Sequence, residues 1–545
     1  MKKKTCSMLL ALLMLFSLAA CGGETAEQPA TSSGQNVEAS SDPAESDNAQ
    51  VNSVENISNV QRDVINVGIA ADITDFNPWS FTGAGANHAI WGIYQPLGHY
   101  IDGTYYPVLM KEYTFSDDGM TMDGELFDYI HDWEGNHLTA DDVLFSWGKI
   151  CEAYPENTQL VEEVVKTGDY SFTFVFARPL FVGEFDNLLR SNFFISKAAF
   201  ENSEDDMHTT PVGTGPYKLT KYTSGYMFTY EKVSDYWQTD ESLIHPRDMA
   251  NVDTINWYVI TESAQRTIAL EQGTIDMCSS ISSDDLDTFD GKNGYWIYGV
   301  PDNLSMNLYL NCGDSSACSD LNLRLAICYA ISNPSVLDSV YGGKGTVMHE
   351  HAPNWAVGYN EAWEEEDNYY QYSPEKAAEY LAQSGYDGQK LTIICTTDEI
   401  SVNTAQMVQN FLLQIGVDTE VTSYESTVYS QYIKEANMWD LMLGTAPTSV
   451  YYVQAMYSSF SKERYAWGGG KNFVMDDQLQ ELLDTCMISA TSTAENLEAL
   501  HRHIIDNCYV MGIVNHQVYS VLPDWVSDVT LSVRKTIIPG GCVYE

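Results

Sequence analysis

Basic residues are scarce in this chain of 545 residues: 27 Lys and Arg stand against 76 Asp and Glu, a formal net charge of −49. Gripping a nucleic-acid backbone takes clustered Lys and Arg, so nucleic acid is excluded as a partner. Excess acid keeps a protein soluble and steers distant encounters, but it does not by itself select a cationic ligand. No CxxC pair occurs, which leaves a structural zinc site without its ligand set. No GxSxG elbow occurs either, and scattered Ser, His and Asp in a chain this long say nothing about catalysis. The pair Asp141-Asp142 is better read as a helix start favoured by the dipole. No catalytic residue is therefore assigned. Past the first 20 residues no apolar run is long enough to cross a bilayer.

What is present begins with an address. Lys2, Lys3 and Lys4 precede an apolar stretch from Met8 to Leu18, and Leu18-Ala19-Ala20 leads into Cys21. A positive start, a short apolar run and small residues before a cysteine resemble the signal of a bacterial lipoprotein. Residues 1–20 are then the leader, and Cys21 is the lipidated N-terminus of the mature chain. Losing three lysines and no acids takes the charge from −49 to −52. Residues 21–61 form a tether: from Gly22 to Val60 there is no Lys or Arg and hardly a large apolar side chain, too little to offset the entropy of ordering. Of 11 cysteines, Cys6 and Cys21 belong to this leader region, and the remaining nine cannot all pair. Cys312 and Cys318, in NCGDSSACSD, are the candidates for a disulfide closing a small polar loop; Cys328, Cys395 and Cys508 sit in apolar runs and read as small core residues.

The body opens with INVGIA (65–70), a strand running into a loop of Asp72, Thr74, Asp75, Asn77 and Pro78. Thr139-Ala140-Asp141-Asp142 reads as a capping box ahead of a helix that carries Val143, Leu144, Trp147 and Ile150 on its inner face. NWYVI (256–260) reads as a strand, followed by a helix capped by Thr261 and stopped by Gly273. Further on, Ser373 caps a helix with Pro374 in its first turn and Gly385 as terminator. LTIIC (391–395), DTEVTSY and WDLMLG (439–444) are strands, with a helix ending at Gly416 between the first two. Alternating helices and strands of this kind make an α/β lobe with a mixed sheet.

Two glycine-rich stretches fail as phosphate loops. PVGTGPYKL (211–219) has Lys218 where a dinucleotide fingerprint needs its third glycine, and YGGKGT (341–346) has Gly345 after Lys344 and Asp338 where a phosphate loop needs glycine. His349-Glu350-His351 would place two histidines on one face of a strand, but two histidines without HExxH spacing do not make a metal site; no metal is assigned. WEEED (363–367) reads as a solvated acidic loop. The 35 Tyr and 12 Trp mostly fill cores, while those in loops after strands suit apolar pockets for small ligands.

Taken in order, WEGNHLTADDVLFSW (133–147), PVGTGPYKL (211–219), YW (236–237), ALEQGTID (269–276), LRLAICYAI (323–331), SPEKAAEYLAQSGY (373–386) and WDLMLG (439–444) resemble one family. It is the extracytoplasmic solute-binding proteins of ABC importers, peptide/nickel class, and the likeness runs over roughly residues 62–530. The resemblance implies a two-lobe α/β periplasmic-binding-protein-like fold with mixed sheets, a hinge of two crossing segments and an extra subdomain on the first lobe. Lobe I would comprise 62–95, 211–303 and 512–545, the subdomain 96–210, and lobe II 304–511. It implies a receptor without catalysis or cofactor, held to the outer face of the cell membrane by Cys21. A small solute, peptide first among the classes, would be captured in the interlobe cleft and passed to a permease with separate ATPase subunits. The PxGTGPY stretch becomes a turn into a strand of the first lobe, its glycines allowing backbone angles other residues resist. By position, Phe76, Asn77, Trp79, Trp355, Thr445, Ser449 and Tyr452 are the candidate ligand residues. Peptide binders of this class commonly hold the ligand ammonium with an aspartate soon after the strand matching WDLMLG; here Thr445-Ala446-Pro447-Thr448-Ser449-Val450 follows, without a carboxylate. That departure opens a sugar, a blocked peptide or another neutral solute as alternatives. A sensor's ligand receptor and an exported hydrolase are the other readings.

Overall fold

Two strands dominate the architecture: Tyr295–Leu310, of 16 residues, and Val510–Pro523, of 14. Both are rich in β-branched and aromatic side chains, which suit a pleated surface buried on one or both faces. They run antiparallel from Tyr295 opposite Pro523 to Tyr309 opposite Val510. The ladder shifts register in two places, between Met306 and Asn307 and, more widely, just before: Pro301 faces Gln517 and Ser305 faces Asn515, so three residues on one strand oppose His516 alone on the other. Pro301 has no N–H to give. The buried Asn515 amide holds the extra residues instead, its Nδ2 lying 3.0 Å from Asp302 O, 2.9 Å from Leu304 O and 3.1 Å from Ser305 Oγ.

This computed structural model describes residues 61–545 except 74, 81–89, 102, 156–157, 191, 366–368, 448, 464–472 and 533–534. The expected leader, Cys21 and all but the last residue of the tether lie outside the described residues, as do Glu366 and Asp367 of the acidic loop. Among the described residues no helix is long and apolar enough to cross a membrane.

The break divides an eleven-stranded mixed sheet into two halves. On one side, Val510–Pro523 continues to Met277–Ile281, Arg62–Ile69, Val252–Val259, Met227–Lys232 and Tyr217–Thr223. On the other, Tyr295–Leu310 pairs with Leu441–Pro447, then Leu391–Thr396 and Thr419–Tyr424. Arg62–Ile69 is parallel to both its neighbours, and so is Leu391–Thr396. The two-residue alternation of a strand gives the second half a core on each face: Leu308, Leu310, Ile393, Leu441 and Leu443 enter one cluster, Tyr309, Ile394 and Met442 another. The first half shares one core with a four-stranded antiparallel sheet ordered Met110–Phe115, Thr121–Leu126, Ser171–Phe176, Val161–Lys166. There SFTFVF buries Phe172, Phe174 and Phe176, and Trp147 of the helix Ala140–Ala153 meets Phe174 edge-on at 5.2 Å. The architecture is the mixed α/β fold expected, with two long strands crossing between its halves.

The expected strands and the helices after Thr139 and Ser373 form. The Asp142 carboxylate accepts the Thr139 N–H at 2.7 Å and its hydroxyl at 2.9 Å, and the Ser373 hydroxyl accepts from Lys376 N. Thr261 does not cap its helix: Ser263–Glu271 starts after Glu262, which makes no side-chain cap bond, and Ser263 turns its hydroxyl to Asp285 instead.

The PVGTGPY turn needs its glycines for a reason other than backbone angles. Neither Gly213 nor Gly215 has a left-handed φ; a Cβ at Gly213 would stand 2.1 Å from Ile93 O, and one at Gly215 2.4 Å from Gly92 O. Two backbones pass too close for any side chain, and Gly215 N donates to Ile93 O across the approach at 2.9 Å. The Cys312–Cys318 disulfide is not formed in this structure, which holds all nine described cysteines as thiols. The two belong to different cores, Cys312 packing against the cluster of Tyr309 and Cys318 buried in that of Leu308 and Leu310, and Cys312 Sγ donates back to Leu310 O at 3.4 Å.

Candidate functional site

The break in the crossing strands is where chains from both halves of the sheet converge. Trp355, half-buried on a loop of the second half, donates its indole N–H to Asn515 Oδ1 at 3.1 Å. It is thereby fixed to the residue that holds the break. Lys535, from the C-terminal return, places its ammonium 5.4 Å from the Trp355 ring centre, within reach of a cation–π attraction. A second approach joins the loop ahead of the helix Glu184–Arg190 to the helix Tyr452–Phe460 and the end of Asp477–Met487. Val182 N donates to Met487 O at 2.8 Å, and Gln454 Nε2 donates to Val182 O at 2.7 Å. Gly183 allows it, since a Cβ there would meet Tyr451 and Gln454 side-chain atoms at 2.6 Å.

Asp186 sits at this second contact. Its carboxylate pairs with Arg190 Nε at 3.2 Å and accepts from Tyr451 OH at 3.5 Å. Burial pushes its carboxyl above the ordinary value, against the opposing pull of Arg190, Arg247, Tyr451 and His99. Close by in the first half, His99 Nε2 lies 2.7 Å from Asp248 Oδ2, and Gln95 donates to the other oxygen at 3.1 Å. Burial raises the Asp248 carboxyl, but the charge and hydrogen bond of His99 and the Gln95 amide outweigh it, and the group ends below the usual carboxylate range. His245 lies beside them, and burial and then His99 take its imidazole down to about 4. These three side chains bring ligand atoms within 4.8 Å of one another. His245 Nδ1, however, accepts the Arg247 N–H at 3.2 Å, so the neutral ring carries its proton on Nε2 and has no lone pair left for a cation.

The seven positions expected to hold a ligand fall into two sets. Phe76, Asn77, Trp79 and Tyr452 are buried with partners inside the protein. Phe76 packs edge-on against Tyr222 at 5.2 Å; Asn77 Oδ1 accepts from Trp79 N and Ser80 N, and its Nδ2 donates to Asp206 O. The Trp79 indole donates to Phe193 O at 3.2 Å. Tyr452 donates to Glu350 Oε2 at 2.9 Å from a fully buried position. In this geometry the four build the scaffold. Trp355, Thr445 and Ser449 are at least partly open to solvent. Thr445 faces out of the strand opposite Met306, and Ser449 donates to Gln454 Oε1 at 2.7 Å while accepting from Tyr451 N. The sequence offered no signal for Asp186, Gln454, Asn515 or Lys535, each of which meets a residue 160 or more positions away.

The His349-Glu350-His351 stretch builds no metal clip. It is not a strand, and its two histidines go to different partners: His349 to Glu364 at 3.2 Å, His351 Nε2 to Ser459 Oγ at 2.8 Å. Glu350 is buried against His501 Nδ1 at 2.6 Å, with the His501 ring stacked on Trp363 at 4.1 Å. A hollow of about 370 Å³ between the helices Asn333–Tyr341 and Glu399–Gln414, lined by Ser339, Asn403, Gln406 and Phe411, opens broadly to solvent. The convergence at the break brings together an aromatic ring, a hydroxyl and a charged group, the kinds a small-solute site requires, whereas the lining of the hollow has no charged side chain.

A family profile for bacterial extracellular solute-binding proteins, family 5 Middle, matches residues 104–466. The dipeptide-binding protein of Escherichia coli K12 is 23% identical over 409 residues, 68% of this chain and 73% of its own. The glutathione-binding protein GsiB of the same strain is 23% identical over 377 residues, 67% of this chain and 70% of its own. Among solved structures, HbpA2 from Haemophilus parasuis matches with a TM-score of 0.77 at 18% identity, over 89% of this chain and 100% of that one. The ABC transporter substrate-binding protein CtaP from Listeria monocytogenes matches with a TM-score of 0.73 at 20% identity, over 89% and 99%.

Proposed function

Because the chain belongs to the bacterial extracellular solute-binding proteins, family 5, the receptors of ABC importers in the peptide/nickel class, we propose that it captures a peptide-like solute where the two halves of its sheet meet. Membership of a binding family makes it a receptor rather than an enzyme. In our reading lobe I is 62–95, 211–303 and 512–545, the subdomain 96–210 and lobe II 304–511. The loaded receptor, held at the membrane through lipidated Cys21, then docks on a permease whose separate ATPase subunits supply the energy. The observation that carries this reading is the break at Pro301–Ser305, with Trp355 of one half bonded to the Asn515 that secures it. An irregular ladder crossing between two packed bodies is the kind of element that absorbs a hinge rotation, and both halves bring loops to it.

Peptide-like chemistry is favoured by relatives named for dipeptide and glutathione binding. One feature modifies it. The loop after Leu441–Pro447 offers Ser449 and Tyr451 but no carboxylate, and the acid that reaches it, Asp186, is already paired with Arg190. A ligand ammonium buried there would lack a free counter-charge, a cost of several kcal/mol. The receptor therefore takes peptides by something other than a free N-terminus at that loop. A second reading, a neutral solute such as an oligosaccharide, rests on the same loop's hydroxyls and on the half-exposed Trp355 ring. A thermal-shift screen with free peptides, N-blocked peptides, oligosaccharides, and Ni²⁺ with and without a small chelator separates them. Ligand at a hundred times its Kd adds about 2.7 kcal/mol of stability. Shifts with blocked peptides above those with free ones support the proposal; shifts with sugars alone move the assignment to the second reading, and micromolar binding of ordinary free peptides refutes the argument about the ammonium.

A further inference from the structure

Cys328 lies on the helix Leu321–Ala330, and Cys508 caps the helix Ala494–Asn507. They are 180 positions apart in the chain, both are fully buried, and their sulfurs stand 3.2 Å from each other. Even carbon atoms, which are smaller, settle at about 3.5 Å or more when not bonded. The sulfurs are thus already inside ordinary contact, about 1 Å short of a bond. A second observation is independent of that distance. Cys508 adopts φ 52° and ψ 53°, the left-handed conformation of a helix C-cap, where glycine or asparagine ordinarily stands and other residues are uncommon. A side chain kept in that slot calls for something it does there, and what it reaches is Cys328.

The surroundings hold the two helices in register for it. Arg324, one turn before Cys328, donates from Nε and Nη2 to Asn507 O at 3.2 and 2.8 Å, and from Nη1 to Cys318 O at 2.8 Å. Tyr370 donates to Ile505 O from the other side. We propose that Cys328 and Cys508 form a disulfide in the exported protein, pinning the root of the crossing strand Val510–Pro523 to the core of its own half. In an oxidising compartment such bonds form and persist. The reaction is thiol–disulfide exchange with an external disulfide: the Cys508 thiolate attacks it and expels one thiolate, giving a mixed disulfide. The Cys328 thiolate then attacks Cys508 Sγ and expels the second. One S–S bond forms in the protein, the oxidant's is reduced to two thiols, and the two protein thiols give up their protons. Because both sulfurs are buried in the folded state, the exchange belongs to folding, before the helices close over them.

The test uses the full chain, refolded in oxidised glutathione or purified without reductant. Free thiols are alkylated in denaturant, and the digest is mapped by mass spectrometry without reduction. The expected result is a linked pair of peptides containing Cys328 and Cys508, with Cys312 and Cys318 alkylated. Reductant present during refolding should lower the melting temperature by about 5 °C, a difference retained by Cys312→Ala and abolished by Cys328→Ala or Cys508→Ala. Full alkylation of both cysteines after oxidative refolding, or a link from either to another cysteine, overturns the proposal. A reductant-dependent difference that persists in Cys328→Ala overturns it as well. Should either alanine variant fail to fold, the peptide map of the unaltered chain still decides.

Discussion

Replacing Asn515 with alanine tests whether the break in the crossing strands is built or incidental. The amide is 1% exposed. Its Nδ2 serves Asp302 O, Leu304 O and Ser305 Oγ, at 3.0, 2.9 and 3.1 Å, and its Oδ1 accepts the Trp355 indole at 3.1 Å. An amide has only two hydrogens, so two bonds are donated at full strength and one acceptor is shared. With the accepted bond that makes three, each about 1 kcal/mol net, and a buried carbonyl left without a partner costs about 1–3 kcal/mol more. The expected loss is about 4–6 kcal/mol, read as a fall in the urea midpoint at unchanged slope. Trp355 reports the same event locally, since its indole loses its acceptor and its fluorescence should shift toward the solvent-exposed value. A loss below about 1 kcal/mol, no more than an average point substitution costs, would refute the reasoning and assign the bulge to backbone pairing alone. Gln517→Ala is the control. Gln517 is half-buried opposite Pro301, and among the described residues its amide reaches Thr346 Oγ1 at 3.4 Å and the Tyr519 hydroxyl at 2.9 Å, so its effect should be the smaller by a clear margin.

Two glycine substitutions should act with opposite signs. Gly213→Ala drives a Cβ to 2.1 Å from the Ile93 carbonyl oxygen, and since backbone must move, more than about 3 kcal/mol should be lost in denaturant titration; Gly148→Ala, in a helix with nothing within 4 Å of the new Cβ, should gain about 0.5–1 kcal/mol. Glu350→Ala removes the acceptor of buried Tyr452 and the partner of His501 and should cost about 3–5 kcal/mol, whereas a neutral result by the same titration would mean that His501 is satisfied elsewhere. For Asp476, burial raises the carboxyl, but the Tyr509 hydroxyl, His503 and the Leu479 N–H outweigh it and bring it from 3.8 to about 2. A carboxyl whose folded value is depressed adds stability that is present above the unfolded value and lost as pH falls through the folded one. Melting temperatures of Asp476→Ala and the unaltered chain should therefore differ above pH 4 and converge toward pH 2, and a constant difference across that window would show that the effect is packing instead.

Local chemistry was readable wherever its partner lay nearby in the chain. Thr139 and Asp142 are three residues apart, and the cap forms as their spacing requires; the strand alternation of SFTFVF needed no knowledge of what it packs against. Thr261 failed even at short range because Ser263 found an acceptor in Asp285, 22 positions on, and the helix started one residue later than its spacing suggested. The glycines of PVGTGPY were recognisable as a turn, but not their purpose. What forbids a side chain at Gly213 is the carbonyl of Ile93, and nothing in the residues around position 213 announces position 93.

The same limit accounts for the site. An aromatic residue in a loop after a strand has one sequence appearance whether it turns inward or outward. Phe76 and Trp79 turn inward because Tyr222 and Phe193, more than a hundred positions downstream, supply a ring and a carbonyl to receive them. Trp355 stays half-open because its one polar atom finds Asn515 at the boundary between the two halves of the sheet. The residues that sequence reasoning passed over, Asp186, Gln454 and Asn515, are ordinary polar side chains whose distinction is their partner: Tyr451 at 265 positions, Val182 at 272, Trp355 at 160. On the function proposed above, a receptor whose halves part and close puts its binding chemistry where distant stretches of chain meet. Those contacts are the ones that local pattern encodes least. For this fold, then, the register of the two crossing strands is the first thing to establish, because it determines which far-apart side chains face each other.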